Sequence, residues 1–225
     1  MFSRRALLGG IAATVAVSNA IAATSKPVVF WFYGSVADSI KDCPFPADQF
    51  QIHSVDIPCH GADVRPGEPA GLEGWRYRLD RHEALLNQFL QKCSATLDTI
   101  AAPTAIVGGV SRGAFAAMHL SARDPRFQRI VALSPVTDLR KLTEFNGYTG
   151  DVLPLDVDAL SKRRLLIAMQ SQDDRVSTSS AINLVSRIAD GKRPADVRLL
   201  IEPGDQHTVT EVARSEAVRW VNRSE

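Results

Sequence analysis

Six short apolar runs, each bounded by turn-forming residues, alternate with stretches of helical periodicity, and this alternation constrains the fold more than any other feature. The runs are Val28–Tyr33, Gln51–Ile57, Ala105–Val107, Arg129–Leu133, Leu165–Met169 and Val197–Ile201. Several are apolar at nearly every position, which suits strands covered on both faces. Between them, Arg76–Lys92 places Leu79, Leu86, Phe89 and Leu90 on one face of a helix. Gly113–Ala122 is small and apolar, as expected of a helix pressed against a sheet, and Ser177–Ile188 and Val209–Val221 are amphipathic. Strands alternating with helices predict an α/β fold with a mostly parallel, doubly wound, six-stranded sheet and right-handed crossovers. Gly and Pro cluster in residues 58–74, which reads as a long loop over one edge of the sheet. Residues 135–163 form a second irregular stretch, and no internal repeat or linker separates two domains.

Residues 1–23 read as an address rather than as part of this fold. Ser3-Arg4-Arg5-Ala6-Leu7-Leu8 is followed by an uncharged apolar run from Ala6 to Val17 and then by Ala20-Ile21-Ala22. A positive start, a short apolar middle and a small-residue end make a secretory signal. The paired arginines ahead of leucines resemble a twin-arginine signal, the type that exports folded proteins. Gly9 and Gly10 interrupt the apolar stretch, which is too short to span a bilayer comfortably. The expectation is a periplasmic or secreted protein whose working domain is residues 24–225, with no membrane span after processing. The 225 residues carry 26 basic and 25 acidic side chains, a formal balance of +1. Without Arg4 and Arg5 the balance becomes −1, which leaves no basic footprint for nucleic acid. With 45% hydrophobic and 23% charged residues, the composition is that of an ordinary globular domain.

The sharpest chemical signal is Ala105-Ile106-Val107-Gly108-Gly109-Val110-Ser111-Arg112-Gly113-Ala114. An apolar strand runs into Gly109-x-Ser111-x-Gly113 and straight on into a helix. Such a turn forces the serine into a strained conformation with its hydroxyl presented to a reactant. A serine hydroxyl is a weak nucleophile and needs a base, and the base needs an orienting acid. His207 lies in Glu202-Pro203-Gly204-Asp205-Gln206-His207, directly after the last strand. Loops at strand carboxyl ends share one edge of a parallel sheet, so His207 and Ser111 meet there. His53 and His119 lie inside a strand and a helix and read as packing residues. His82 reads as solvated, and His60 as a brace in the upper loop that could alternatively line the site. The acid should follow the strand Leu165–Met169, where Asp173 and Asp174 are both candidates. One of them would otherwise cap the helix starting near Ser177.

These residues together resemble the α/β-hydrolase superfamily. Ser111, Asp173, His207 is that family's nucleophile–acid–base order. Val55-Asp56-Ile57-Pro58-Cys59-His60-Gly61 is similar to its D-x-P-G-H-G turn, with Cys59 in place of a glycine. Ser171–Val176 resembles its G-x-x-D-x-x-V segment, a register that selects Asp173 over Asp174, and Pro203–His207 resembles its P-x-x-x-H segment. Leu133-Ser134-Pro135-Val136-Thr137-Asp138-Leu139, with Ser-Arg-Gly at the nucleophile, is similar to the prolyl-oligopeptidase-like and dienelactone-hydrolase-like branches. The resemblance implies a minimal six-strand hydrolase fold without a large cap. It also implies an oxyanion hole from the backbone N–H groups of Arg112 and Ser35. Tyr33-Gly34 stands where the family has His-Gly, and this departs from the pattern. The implied activity is hydrolysis of a carboxylic ester, a small-molecule acyl substrate, through an acyl-enzyme. Peptidase or thioesterase chemistry, or a catalytically silent binding protein, are the competing readings. No C-x-x-C pair, metal-ligand spacing or phosphate-binding glycine loop occurs, so no metal or nucleotide cofactor is implied.

Of the three cysteines, Cys43 precedes the second strand and Cys93 ends the helix after it, so both fall at the lower edge of the sheet. Cys59 falls at the upper edge, beyond the disulfide reach of about 7 Å between Cα atoms. If a bridge forms, it is expected between Cys43 and Cys93, with Cys59 free.

Overall fold

The computed structural model describes residues 26–191 and 194–223. The expected signal segment, 1–23, lies outside the described residues. The strands are β1 (Val28–Phe32), β2 (Gln51–His53), β3 (Ala105–Val110), β4 (Phe127–Leu133), β5 (Arg164–Gln170) and β6 (Asp196–Glu202). The helices are α1 (Val36–Asp42), α2 (Gly71–Leu79), α3 (Asn87–Ile100), α4 (Arg112–Arg123), α5 (Val157–Leu160), α6 (Thr178–Ala189) and α7 (Glu211–Val221). All six strands pair in parallel, in the order β2-β1-β3-β4-β5-β6. Between β1 and β3 the winding reverses direction. Crevices at such reversals, above the strand carboxyl ends, are where open α/β sheets bind ligands. The loop after β1 and the turn after β3 both open into this one.

The apolar runs are continuous because the sheet is covered on both sides. Every residue of β1 and β3 is buried. Alternate side chains part company: Phe30 and Phe32 join the core under α2, α3, α4 and α6, whereas Val29 and Trp31 join the core under α7. On the second side Trp31 packs edge-on against Phe45, 5.7 Å between ring centroids. The small residues of α4 bring it close to the sheet, with Ala114, Ala116 and Ala117 fully buried. Residues 135–156 hold only short 3-10 turns, at Leu139–Lys141 and Thr143–Phe145, so no multi-helix cap covers the sheet. Among the described residues no helix is long and apolar enough to cross a membrane.

Three expectations need correction. The helix read over Arg76–Lys92 is two helices, and the first begins at Gly71, inside the stretch read as a loop. Arg78, almost wholly buried, donates to the Asp63 carboxylate at 2.6 Å and to Glu68, which ties α2 to the preceding loop. The chain then reverses through His82, at φ 58°, and α3 restarts along the sheet. Leu79, Leu86, Phe89 and Leu90 are all buried even so, because each helix turns its apolar face to the same core. The second strand is shorter than read, with only Gln51–His53 in the sheet. Finally, all three cysteines are free thiols. Cys93 sits in the middle of α3 on one side of the sheet, and Cys43 packs on the other side, so the sheet separates the expected pair. A shared edge did not mean a shared face. Burial keeps the thiols protonated, with Cys43 pushed to about 11 and Cys59 to about 12.

His119, on α4, stacks edge-on against Phe115 with its Nε2 sealed from solvent and unpartnered. Burial pushes its pKa down to about 4, against 6.5 in the unfolded chain. Below pH 6.5 the unfolded state therefore takes up the proton first, and stability falls as pH drops from about 6.5 to about 4. The expected loss is up to about 3 kcal/mol, since each tenfold difference in proton affinity between the two states is worth about 1.4 kcal/mol. Urea midpoints measured between pH 7.5 and 4.5 should slope in the wild type and flatten in His119→Gln. Parallel curves for the two proteins would remove His119 as the cause.

Candidate active site

Ser111 joins β3 to α4 with φ 56° and ψ −121°, a conformation that costs an L-residue about 1–3 kcal/mol. The surroundings hold it there. Ser111 N–H donates to the Leu133 carbonyl at 3.0 Å, and the Ser111 carbonyl accepts from Val136 N–H and Phe115 N–H, each at 3.2 Å. The flanking glycines are required by close approach. A Cβ on Gly109 would lie 2.2 Å from the Phe32 carbonyl oxygen, and one on Gly113 would lie 2.1 Å from the same atom. Both sides of the turn are thus pressed onto the end of β1.

His207 hangs in the loop between β6 and α7. Its Nε2 is 3.0 Å from Ser111 Oγ, and its Nδ1 is 2.8 Å from Asp173 Oδ2. A carboxylate can only accept, so Nδ1 carries the proton and Nε2 offers a lone pair to the serine hydroxyl. Ser111 is 6% exposed and Asp173 1%. Asp173 N–H donates to Thr178 Oγ1 at 3.1 Å, and that hydroxyl donates to the Gln170 carbonyl at 2.8 Å. Asp174 is exposed and makes no contact with His207, and Ser177 itself caps α6 by accepting from Ser180 N–H. Of the two adjacent aspartates, the structure brings Asp173 to the histidine.

Gln170, at the end of β5, is a further functional candidate that the sequence did not announce. Its Oε1 accepts from Gln206 N–H at 2.9 Å and its Nε2 donates to Thr208 Oγ1 at 2.8 Å, one bond on each side of His207. Gly204, at φ 151°, makes room, since a Cβ there would meet Gln170 Oε1 at 2.1 Å. Glutamine at a strand end has no sequence signature of its own.

The loop after β1 carries Ser35. Tyr33 N–H and Gly34 N–H point to the buried Ser39 hydroxyl, at 2.9 and 3.4 Å, and Val36 N–H donates to Asp56 Oδ1 at 2.7 Å. Among the described residues Ser35 N–H has no such partner. Arg112 is the first residue of α4, where a helix leaves its amide without an intrahelical acceptor. Asp56 also accepts from Ala62 N–H at 2.9 Å, which ties the β1 loop to the Pro58–Gly61 turn. Cys59, in that turn, occupies the left-handed region at φ 60° where a glycine was expected. Of the two readings of His60, the structure favours the one beside the site, because His60 accepts from the Arg112 guanidinium at 2.8 Å. Among the described residues no group of three or more His, Cys, Asp or Glu side chains is placed to hold a metal.

This sheet, turn and loop order define an α/β-hydrolase fold. No protein-family model matches the chain, and no curated protein sequence matches it. Solved structures do. Protein TT1662 from Thermus thermophilus superposes with a TM-score of 0.69 at 18% identity, over 87% of each chain. A cold-adapted esterase from an Arctic intertidal metagenomic library aligns with a TM-score of 0.62 at 19% identity, over 88% of this chain and 82% of its own. A serine hydrolase from the hydrocarbon-degrading bacterium Cycloclasticus zankles gives 0.55 at 16% identity, over 88% and 87%. At these identities the likeness is one of fold.

Proposed function

We propose that the protein is a serine hydrolase that cleaves a carboxylic ester. The observation that carries this reading is the unbroken chain from Ser111 Oγ through His207 to the buried Asp173, at 3.0 and 2.8 Å. In the proposed reaction Ser111 Oγ attacks the ester carbonyl carbon while its proton passes to His207 Nε2. The N–H groups of Arg112 and Ser35 receive the charge that develops on the carbonyl oxygen. Asp173 holds the imidazole in register and stabilises its charged form. Collapse of the tetrahedral species breaks the carbon–oxygen bond to the alcohol, which leaves with the proton from His207. Water, deprotonated by His207, then attacks the acyl-serine, and the acid and free serine are released. Fluorophosphonate treatment should label the protein on the peptide containing Ser111. A protein that remains unlabelled while folded would overturn the reading.

Gln170 is proposed as a positioning residue for His207. Gln170→Leu removes both loop bonds and should lower kcat by about 10–100-fold through misplacement of the base, with KM little changed. Gln170→Glu keeps an acceptor for Gln206 N–H and should recover part of the loss. A variant that changes only its melting temperature would make Gln170 purely structural.

Export by the twin-arginine route is proposed from Arg4-Arg5 and the apolar run behind them. Cell fractionation should find processed protein outside the cytoplasm, and the double replacement Arg4→Lys with Arg5→Lys should trap it inside. Unchanged distribution of that variant would contradict the route.

A further inference from the structure

Arg112 contributes more than a backbone amide. Its side chain folds back over the β1 loop, with Nη2 3.7 Å from where a Cβ on Gly34 would lie. The guanidinium is fixed by one bond, from Nε to His60 Nε2 at 2.8 Å. His60 Nδ1 is 2.9 Å from the Pro58 carbonyl. A carbonyl only accepts, so Nδ1 carries the proton and the ring that anchors the cation is neutral.

Among the described residues no carboxylate oxygen lies within 4.0 Å of Arg112, and the charges of Glu144 and Asp38 act on it only from beyond that ion-pair distance. Glu144 is held by Arg175 through two bonds of 2.9 and 2.5 Å. Asp38 accepts from the Ser35 hydroxyl at 2.6 Å, and Asp56 is committed to backbone N–H groups. Tyr33 offers only its ring face, with the centroid 5.9 Å from the guanidinium carbon. Burial pulls Arg112 below its ordinary value, and His60 likewise. Arg78, Arg126, Arg175 and Arg214 each meet a carboxylate, and Arg129 and Arg163 are held by backbone carbonyls, whereas Arg112 has a neutral imidazole. A partly desolvated cation left without a counter-charge is costly.

We propose that the counter-charge comes with the substrate: an ester bearing a carboxylate, which seats on the free Nη1–Nη2 edge of Arg112. With Nε committed to His60, that edge remains the planar fork that matches a carboxylate bidentately. Nη2 stands over Gly34, the residue before Ser35, and Arg112 directly follows Ser111 in the chain. One small molecule then spans both the nucleophile and the cation. The proposal rests on the ester-hydrolase reading above.

The test uses two matched pairs of esters. One carries the charge on the acyl side, p-nitrophenyl hydrogen glutarate against p-nitrophenyl valerate. The other carries it on the alcohol side, 4-acetoxybenzoate against 4-methylphenyl acetate. In at least one pair the anionic member should be favoured in kcat/KM by about tenfold or more, as a charge-assisted bond requires. In Arg112→Gln that ratio should fall toward one, and Arg112→Lys should keep part of it. Working with the ratio cancels any general effect of the substitution on acylation. Neutral esters preferred in both pairs, or a ratio unchanged in Arg112→Gln, would overturn the proposal. No turnover of any ester together with no fluorophosphonate labelling would instead remove the hydrolase reading itself, and this proposal with it.

Discussion

Ser111→Ala is expected to lower kcat/KM for p-nitrophenyl esters by about 10⁴–10⁶-fold and to abolish fluorophosphonate labelling. The size follows from the geometry. The single side-chain partner of His207 Nε2 is Ser111 Oγ, at 3.0 Å, so removing it leaves no atom to attack the acyl carbon. What survives is whatever the oxyanion donors and substrate binding contribute alone. The fold should survive as well. Alanine carries the same Cβ at φ 56°, and the bonds that hold the turn run through the Ser111 backbone to Leu133, Val136 and Phe115. A melting temperature close to wild type is therefore expected beside the lost activity. A loss below about tenfold in a folded variant would mean that catalysis runs through another group.

Asp173→Asn should reduce kcat at neutral pH by about 10⁴-fold, whereas Asp174→Asn should leave it within about threefold. Asp173 Oδ2 accepts the Nδ1 proton of His207 at 2.8 Å. An amide can turn its NH₂ toward the ring, which moves the proton to Nε2. The imidazole then faces the serine hydroxyl with a hydrogen and cannot take one. Asp174 is exposed and touches neither partner. Reversal of the two effects would reassign the acid.

The parts of the fold visible in the sequence are those written in runs. β1 and β3 are buried at every position, and β4 over Ile130–Leu133 and β5 over Leu165–Met169, so these runs are apolar without interruption and their place in a parallel sheet follows. Ser111 stood out because two glycines flank it and a strand and a small-residue helix flank those. The missing parts depend on single contacts between distant segments. The reversal at His82 follows from where Arg78 is tied, and periodicity alone reads through it. The separation of Cys43 from Cys93 depends on which face of the sheet each helix covers, and edge position does not carry that. Ser39 and Gln170 act on neighbouring loops through one or two hydrogen bonds, which leave no repeat or motif behind. Asp173 and Asp174 are adjacent and chemically identical. Only the resemblance chose between them, and only the three-dimensional placement puts one of them against His207.

Gln170 has a consequence for how this protein can be altered. Its carbonyl holds Thr178, which holds Asp173, and its side chain holds the two residues around His207. The loops bearing these two side chains share one hinge pin, so a length change in either displaces both. Residues 137–156, by contrast, pack Leu139, Leu142, Phe145, Val152 and Leu155 into the core beside Val176, and among the described residues their hydrogen bonds to these loops come from Arg175 alone, which donates to Thr143 and Glu144. Of this segment only the turn 146–151 lies mostly in solvent, so new covering segments belong there, where they can be grafted or lengthened without unseating the core beneath.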